Sequence, residues 1–177
     1  MKFLKLGLAS LVASSVLFAG NYNVDASHSN VGFSVKHMMI TNVTGKFNDV
    51  SGNFEYDEKT NTLKALSGDI IVASINTADE KRDTHLKAEE LFDAAKFPKI
   101  NFNATKIEEN AVYGDLTMKG ITKNIKLELE NGGTVTDPWG KQRAGFELVG
   151  KINRKDFGIT WNKVLETGGV AVGEEIK

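Results

Sequence analysis

Apolar side chains recur at every second position along most of this chain, a period that β-strands satisfy and helices do not. Val31, Phe33 and Val35 share one face of a segment whose other face carries Gly32, Ser34 and Lys36. Val50, Gly52, Phe54 and Tyr56 repeat the pattern, and the polar run Asp57-Glu58-Lys59-Thr60-Asn61 follows as a turn. Leu66, Gly68, Ile70 and Val72 alternate next. Ile71, Ala73 and Ile75 are apolar on the opposite face, so this strand is covered on both sides or faces a lid. Further inward faces are Ile100, Phe102 and Ala104; Val112, Gly114, Leu116 and Met118; Ile125, Leu127 and Leu129; and Ala144, Phe146, Leu148, Gly150 and Ile152. Val170, Val172 and Ile176 start a last strand. About eight strands at a spacing of about 8–12 residues mark an antiparallel sandwich or barrel. Lys119-Gly120, Asn131-Gly132-Gly133 and Asp137-Pro138-Trp139-Gly140 read as turns.

One stretch breaks the period. From Thr77 to Phe97 the chain is charged and helix-prone, with Leu86, Leu91, Phe92 and Ala95 near helical spacing. Thr77-Ala78-Asp79-Glu80 fits a capping box, and Pro98 blocks continuation. A mostly antiparallel sheet spends about 20 residues on one connection when that segment covers something. The expectation is a helical lid around residues 77–97, packed on a barrel by its one apolar face.

The first 19 residues are outside this pattern. Lys2 and Lys5 precede an apolar run from Leu6 to Phe18 that serines interrupt, and Ala19-Gly20 offers a small-residue cleavage point. This is the composition of a secretory signal peptide, too short and too serine-rich to be an anchor. Its removal takes 19 of 177 residues and leaves 158, one domain spanning 20–177. Lys2 and Lys5 leave with it, so 20 of the 22 basic side chains face 23 acidic ones. A net charge near −3 offers no basic field for nucleic acid. With no cysteine there are no disulfides and no thiol catalysis. An exported chain of this kind is held by its core alone.

The interior of a closed eight-stranded sheet is either packed with side chains or holds one small ligand. Glycines at Gly52, Gly68, Gly114 and Gly150 share faces with large apolar residues. Inward glycines would leave voids, and empty voids cost stability, so the glycines favour a bound hydrocarbon. Burial of each methylene is worth roughly 0.8 kcal/mol, or ~3–4 kcal/mol for a five-carbon isoprene unit before ordering costs. Tight binding then needs no polar contact and no catalytic group.

Alternation assigns Phe33, Val35, Phe54, Ile70, Phe102 and Phe146 to the lining, with Phe92 from the lid. His37 continues the Val31-Phe33-Val35 face and is the best candidate for a head-group contact inside the barrel. Trp161 plugs one end and Trp139 lies at the rim. Arg82, Asp83 and His85 either meet a head group at the mouth or tie the lid down by charge-assisted hydrogen bonds. His28, His37 and His85 have no metal-ligand spacing. Asp25, His28 and Ser29 suggest a triad only by proximity in sequence, and no Gly-x-Ser-x-Gly elbow is present. No cofactor is expected.

Several ordered pieces resemble the YceI-like family of lipid-binding periplasmic proteins. They are Tyr22-x-x-Asp25-x-x-His28-Ser29 with Val31, Phe33 and His37; Gly45-x-Phe47 with Gly52; and Arg82-Asp83-x-His85-Leu86 with Phe92-Asp93 and Phe97-Pro98-x-Ile100-x-Phe102. Gly114-x-Leu116-Thr117-x-Lys119-Gly120-Ile121-Thr122-Lys123 and Phe146-x-x-x-Gly150-x-Ile152-Asn153-Arg154-x-Asp156-Phe157-Gly158 complete the set. The resemblance implies a mainly β fold, an eight-stranded antiparallel lipocalin-like barrel. It also implies a deep hydrophobic tunnel for a polyisoprenoid, an isoprenoid quinone or a fatty-acid-like amphiphile, held for transport, storage or sequestration. Neither an enzyme nor stable membrane insertion is expected. Family members finish on a full strand, whereas this chain stops at Gly173-Glu174-Glu175-Ile176-Lys177. The closing strand is therefore expected to be short, and an unpaired edge there would recruit a second copy. Two rivals stand beside the carrier reading: an enzyme acting on a bound lipid or quinone, and a stress-response module acting through its surface. An exposed apolar patch outside the barrel would favour the second.

Overall fold

A computed structural model describes residues 20–166 and 168–177. The expected signal peptide, 1–19, lies outside the described residues. The alternating segments form strands where expected: β1 (Gly20–Asn23), β2 (Val31–His37), β3 (Thr41–Phe47), β4 (Val50–Asp57), β5 (Thr62–Ile71) and β6 (Ile75–Asn76). After the helix α1 (Glu80–Leu86) come β7 (Lys99–Glu108), β8 (Ala111–Met118), β9 (Ile121–Thr136), β10 (Gln142–Val149), β11 (Ile152–Asn153) and β12 (Val172–Ile176). Every pairing is antiparallel. One sheet runs β1-β4-β5-β7-β8-β9-β10 and the other β11-β12-β2-β3-β6. The mainly β, nearly closed barrel-like architecture agrees with expectation. The strand count does not: twelve strands are described, because bends and a short 3₁₀ turn at Val72–Ser74 split the longer runs.

Closure comes from curvature. Register shifts at Glu55/Tyr56, Ala104/Lys106 and Gly145/Phe146 bend the strands. The third is the residue pattern read as a turn at Asn131-Gly132-Gly133. The chain does not reverse there; Gly132 is the extra residue of a bulge inside β9, and its neighbour Gly133 takes φ +83°. The bulge carries the second half of β9 to the β4–β5 turn. The Asn131 amide donates to the Asn61 carbonyl and its oxygen accepts from the Tyr56 hydroxyl.

The lid is less helical than its spacing suggests. Asp79, not Thr77, caps α1, accepting from the Lys81 and Arg82 N–H groups at 3.0 Å each. The helix ends at Leu86, and the chain doubles back through turns: Phe92 donates to the Leu86 carbonyl at 3.1 Å and Ala94 to that of Lys87 at 3.0 Å. Those carbonyls are taken by returning chain because Leu91, Phe92 and Ala94 pack into the core. Ala95, expected on the apolar face, is exposed. Tertiary burial outweighs helix propensity here.

Two apolar clusters fill the interior. One, under the lid, contains Phe47, Val50, Val72, Ile75, Leu91, Ile100, Met118, Phe157 and Ile159. The other, at the far end, contains Phe54, Tyr56, Leu63, Val112 and Leu129. The last strand is not a free edge. β12 lies between β11 and β2, and Lys177 exchanges backbone hydrogen bonds with Ser34 at 3.0 and 2.8 Å. The unpaired edge from which a homodimer was expected is therefore absent at this position.

Candidate lipid-binding site

The residues expected to line one tunnel separate into three groups. Phe33, Ile70, Phe92 and Trp161 pack half-buried against the lid-end cluster. Phe33 meets Phe47 at 5.8 Å between ring centroids, and Phe92 meets Phe47 edge-on at 6.1 Å. Phe102 and Phe146 belong to the far cluster. Phe54, buried there, stacks on Tyr22 at 5.1 Å and takes the edge of Phe146 at 5.1 Å. Val35 and His37 form the third group. Both are half-buried, Val35 opposite Val43 and His37 opposite Thr41 and Val172. Val35 packs into neither cluster among the described residues. His37 ends β2 beside the turn, so it lies at one end of the sheet instead of deep inside.

Gly52, Gly114 and Gly150 leave no open void, whereas a Cβ on Gly68 would meet only the Ser51 carbonyl, at 3.3 Å, and Gly68 borders a groove. Gly45 lies directly across from Phe33, and a Cβ there would sit 2.4 Å from the Phe33 ring. A Cβ on Gly114 would sit 2.4 Å from the ring of Phe102. Each glycine is the bed for an aromatic ring on the neighbouring strand. At Gly52 the partner strand itself closes in, with the Ser67 carbonyl 2.4 Å from a Cβ position, and at Gly150 the Leu127 side chain does so at 2.4 Å. The bore inferred from composition is therefore narrowed by rings that composition alone does not place. A groove of about 380 Å³ lies on the outer sheet face, bordered by Ser51, Gly52, Asn53, Ser67, Gly68, Asp69 and Asn103. A second, of about 290 Å³, is bordered by Asn110, Glu128, Leu129, Glu130 and Val149. Neither is the expected tunnel.

Arg82 and Asp83 tie the lid to its own approach. Asp83 accepts from the Thr77 N–H at 2.9 Å and its hydroxyl at 2.6 Å, while Arg82 donates to the Thr77 hydroxyl at 2.8 Å and carbonyl at 2.9 Å. Hydrogen bonding from the Arg82 N–H, with the Arg82 charge, holds the Asp79 carboxyl below its ordinary range. His85 pairs with Glu90 and sets its ring edge against Trp161, centroids 4.7 Å apart. These contacts bind Arg82 and Asp83 within the 77–97 segment itself, and the His85 ring against Trp161 is the one that reaches beyond it.

Arg154 was not assigned a role from sequence. It is 4% exposed and donates to the carbonyls of Ile159 at 2.6 Å, Gly173 at 2.8 Å, Trp161 at 2.9 Å and Val172 at 3.3 Å. Burial lowers its pKa, and the nearby Glu174 opposes that. This one guanidinium joins the Trp161 segment to β12. Its position within the Asn153-Arg154-x-Asp156-Phe157-Gly158 motif was the available signal. Asn162 acts beside it, donating to the Val172 carbonyl at 2.7 Å and accepting from the Val172 N–H at 3.0 Å.

The triad pattern does not assemble. Ser27, not Ser29, meets His28 and Asp25, and His28 uses the same nitrogen, Nδ1, toward both at 3.0 and 2.9 Å. A relay needs one ring nitrogen for each partner. The group is an exposed turn, joined by Arg143 to Asp25 at 3.3 Å. Hydrogen bonds from Ser27 and then His28 hold the Asp25 carboxyl far below the ordinary range. Among the described residues no group of three or more His, Cys, Asp or Glu could hold a metal. No helix among them is long and apolar enough to cross a membrane.

The sequence and the fold both have counterparts among known proteins. The chain is 42% identical over 159 residues to a UPF0312 protein of Staphylococcus aureus (strain N315), covering 89% of this chain and 92% of that one. A crystal structure of the Campylobacter jejuni YCEI protein is 39% identical with a TM-score of 0.63, covering 77% of this chain and 83% of that one. A polyisoprenoid binding domain from Saccharophagus degradans has a TM-score of 0.57 at 13% identity, covering 90% of this chain and 94% of that one, a likeness of fold alone. The YceI-like domain model matches residues 22–177, and the chain belongs to that family.

Proposed function

We propose that this protein binds a long apolar lipid between its two sheets and beneath the lid, as a periplasmic carrier or store with no catalytic step. One observation carries the reading. Phe33, Phe92, Phe102, Phe146, Leu116 and Trp161 sit on the inner face or lid, yet each keeps accessible surface. Large apolar side chains that face inward and remain partly wet are an incompletely covered surface. A hydrocarbon chain covers such a surface without polar partners, consistent with the polyisoprenoid named for the Saccharophagus degradans domain. The ligand would displace the Phe33 and Phe102 rings from their glycines. The composition of residues 1–19 supports export.

Organic extraction of the natively purified protein, followed by mass spectrometry, tests this. A long-chain isoprenoid, quinone or fatty-acid-like lipid in the extract is the expected result. Protein that is lipid-free and takes up none of the three on incubation would overturn it. A surface-acting module is the second reading, favoured by the exposed apolar turn after β2, Met38-Met39-Ile40.

A further inference from the structure

The connection between β2 and β3 is apolar throughout. Met38 is 48% exposed, Met39 56% and Ile40 84%. Val164 joins them at 83%. The two segments are held together: Met38 donates to the Ala171 carbonyl at 2.7 Å, Ala171 donates to that of Lys163 at 2.8 Å, and the Met39 Cγ lies 3.5 Å from where a Cβ on Gly169 would stand.

The backbone here is unusual as well. Met38 takes φ 48° and Met39 φ 64°, and Ile40 donates back to the His37 carbonyl at 3.2 Å. Two successive positive φ values in a tight hairpin are the pattern that asparagine and glycine satisfy at least cost. Methionine at both positions carries backbone strain and places two large apolar side chains in solvent. Neither feature helps the fold, so both point to a partner.

The surroundings say which. Exposed Lys36 lies two residues before the tip and exposed Lys163 directly before Val164, with His37 beside the tip; on the neighbouring chain stand Glu166 and, on β12, Glu174 and Glu175, which pair with Lys155 and Lys151. Behind the tip, the half-buried pair Val35 and Val43 leads along β2 to Phe33. An apolar tip with a basic fringe matches a bilayer whose headgroups are anionic. We propose that Met38, Met39, Ile40 and Val164 form a foot that docks on such a membrane, bringing the inner face of β2 to the lipid surface. The purpose of this contact rests on the lipid-binding reading, but the contact itself can be measured without cargo.

Co-sedimentation of the mature protein with phosphatidylethanolamine–phosphatidylglycerol vesicles tests it, against phosphatidylcholine vesicles. Binding to the anionic vesicles, weaker on phosphatidylcholine and reduced by salt, is expected. The double variant M38N/M39G suits the turn better, so its melting temperature should hold or rise while vesicle affinity falls about tenfold or more. Lys36→Gln and Lys163→Gln should each cost roughly fivefold on anionic vesicles. Unchanged vesicle binding by M38N/M39G overturns the proposal, as does wild-type protein that never sediments with vesicles. A dimer in vesicle-free solution that M38N/M39G abolishes also overturns it, by assigning the patch to a second copy. The two readings fail separately. Vesicle binding without extractable lipid removes only the cargo, and extractable lipid without vesicle binding removes only the foot.

Discussion

The two ends of the interior use the same residue types differently. At the far end Tyr56 and Val112 are fully buried, and the Tyr56 hydroxyl is latched to Asn131. At the lid end Val31, Phe33, Phe92 and Trp161 are half-buried around the core, and the cover above them is one seven-residue helix with its turns. Each end has a sealed centre, Val72 and Phe157 under the lid as much as Tyr56 and Val112, and each has half-buried rings around it, Phe102 and Phe146 at the far end. The ends differ in their cover: the far end is closed by the sheet's own bulge and turn, the lid end by a short helical segment. An alternating stripe in sequence therefore splits into sealed and half-covered parts, and the dividing factor is cross-strand geometry instead of hydrophobicity.

Substitutions at the two ends should separate these roles. Phe54→Ala removes a buried ring between Tyr22 and Phe146 and should cost about 3–5 kcal/mol in urea unfolding. Arg154→Met leaves the carbonyls of Ile159, Trp161, Val172 and Gly173 without their donor, a loss of about 3 kcal/mol by the same assay. Phe33→Arg should cost only about 1–2 kcal/mol, since the site is half-buried, but should abolish lipid uptake. Equal loss of stability and uptake would make Phe33 an ordinary core residue. Gly45→Ala pushes the Phe33 ring off its bed and into the ligand space, for about 1 kcal/mol of stability and a measurable drop in affinity.

Much of this was legible in the residues. Alternation located the strands, and the Lys119-Gly120 turn has positive φ at both residues. The turn at Asp137 is closed by its carboxylate, which accepts from the Trp139 and Lys141 N–H groups, and Trp139 is exposed at the rim as expected. What escaped depends on register. Gly45 faces Phe33 only because β2 and β3 pair as they do, and no local pattern states that pairing. The Gly132 bulge resembles a turn until its partner strand is known. The left-handed Met38 and Met39 carry no glycine or asparagine signal. Arg154 looks like one more surface charge beside Lys155 and Asp156, since its four carbonyl partners come from segments up to 19 residues away.

The smallest expected effect is on acid stability. Hydrogen bonds from the Thr60, Arg82 and Lys141 N–H groups lower the pKa values of Asp57, Asp79 and Asp137, and Lys99 lowers that of Asp69. Groups with depressed native pKa values stabilise the fold above about pH 4, and that contribution is lost as pH falls through their native values. The melting temperature should therefore be level from about pH 5 to about pH 10 and decline below about pH 4, with a shallower decline in Asp137→Asn. At the alkaline end, burial and the adjacent Glu58 push the Tyr22 phenol up to about 12. Its contribution is lost as pH rises from about 10 toward that value.

Native mass spectrometry of the mature protein, wild type beside Phe33→Arg, bears most directly on the lipid site. The lid-end surface predicts a discrete lipid mass on the wild-type chain that is missing from a folded Phe33→Arg chain. A wild-type chain that remains bare after incubation with polyprenol, quinone and fatty acid, with Phe33 and Phe102 still seated on their glycines, would contradict it.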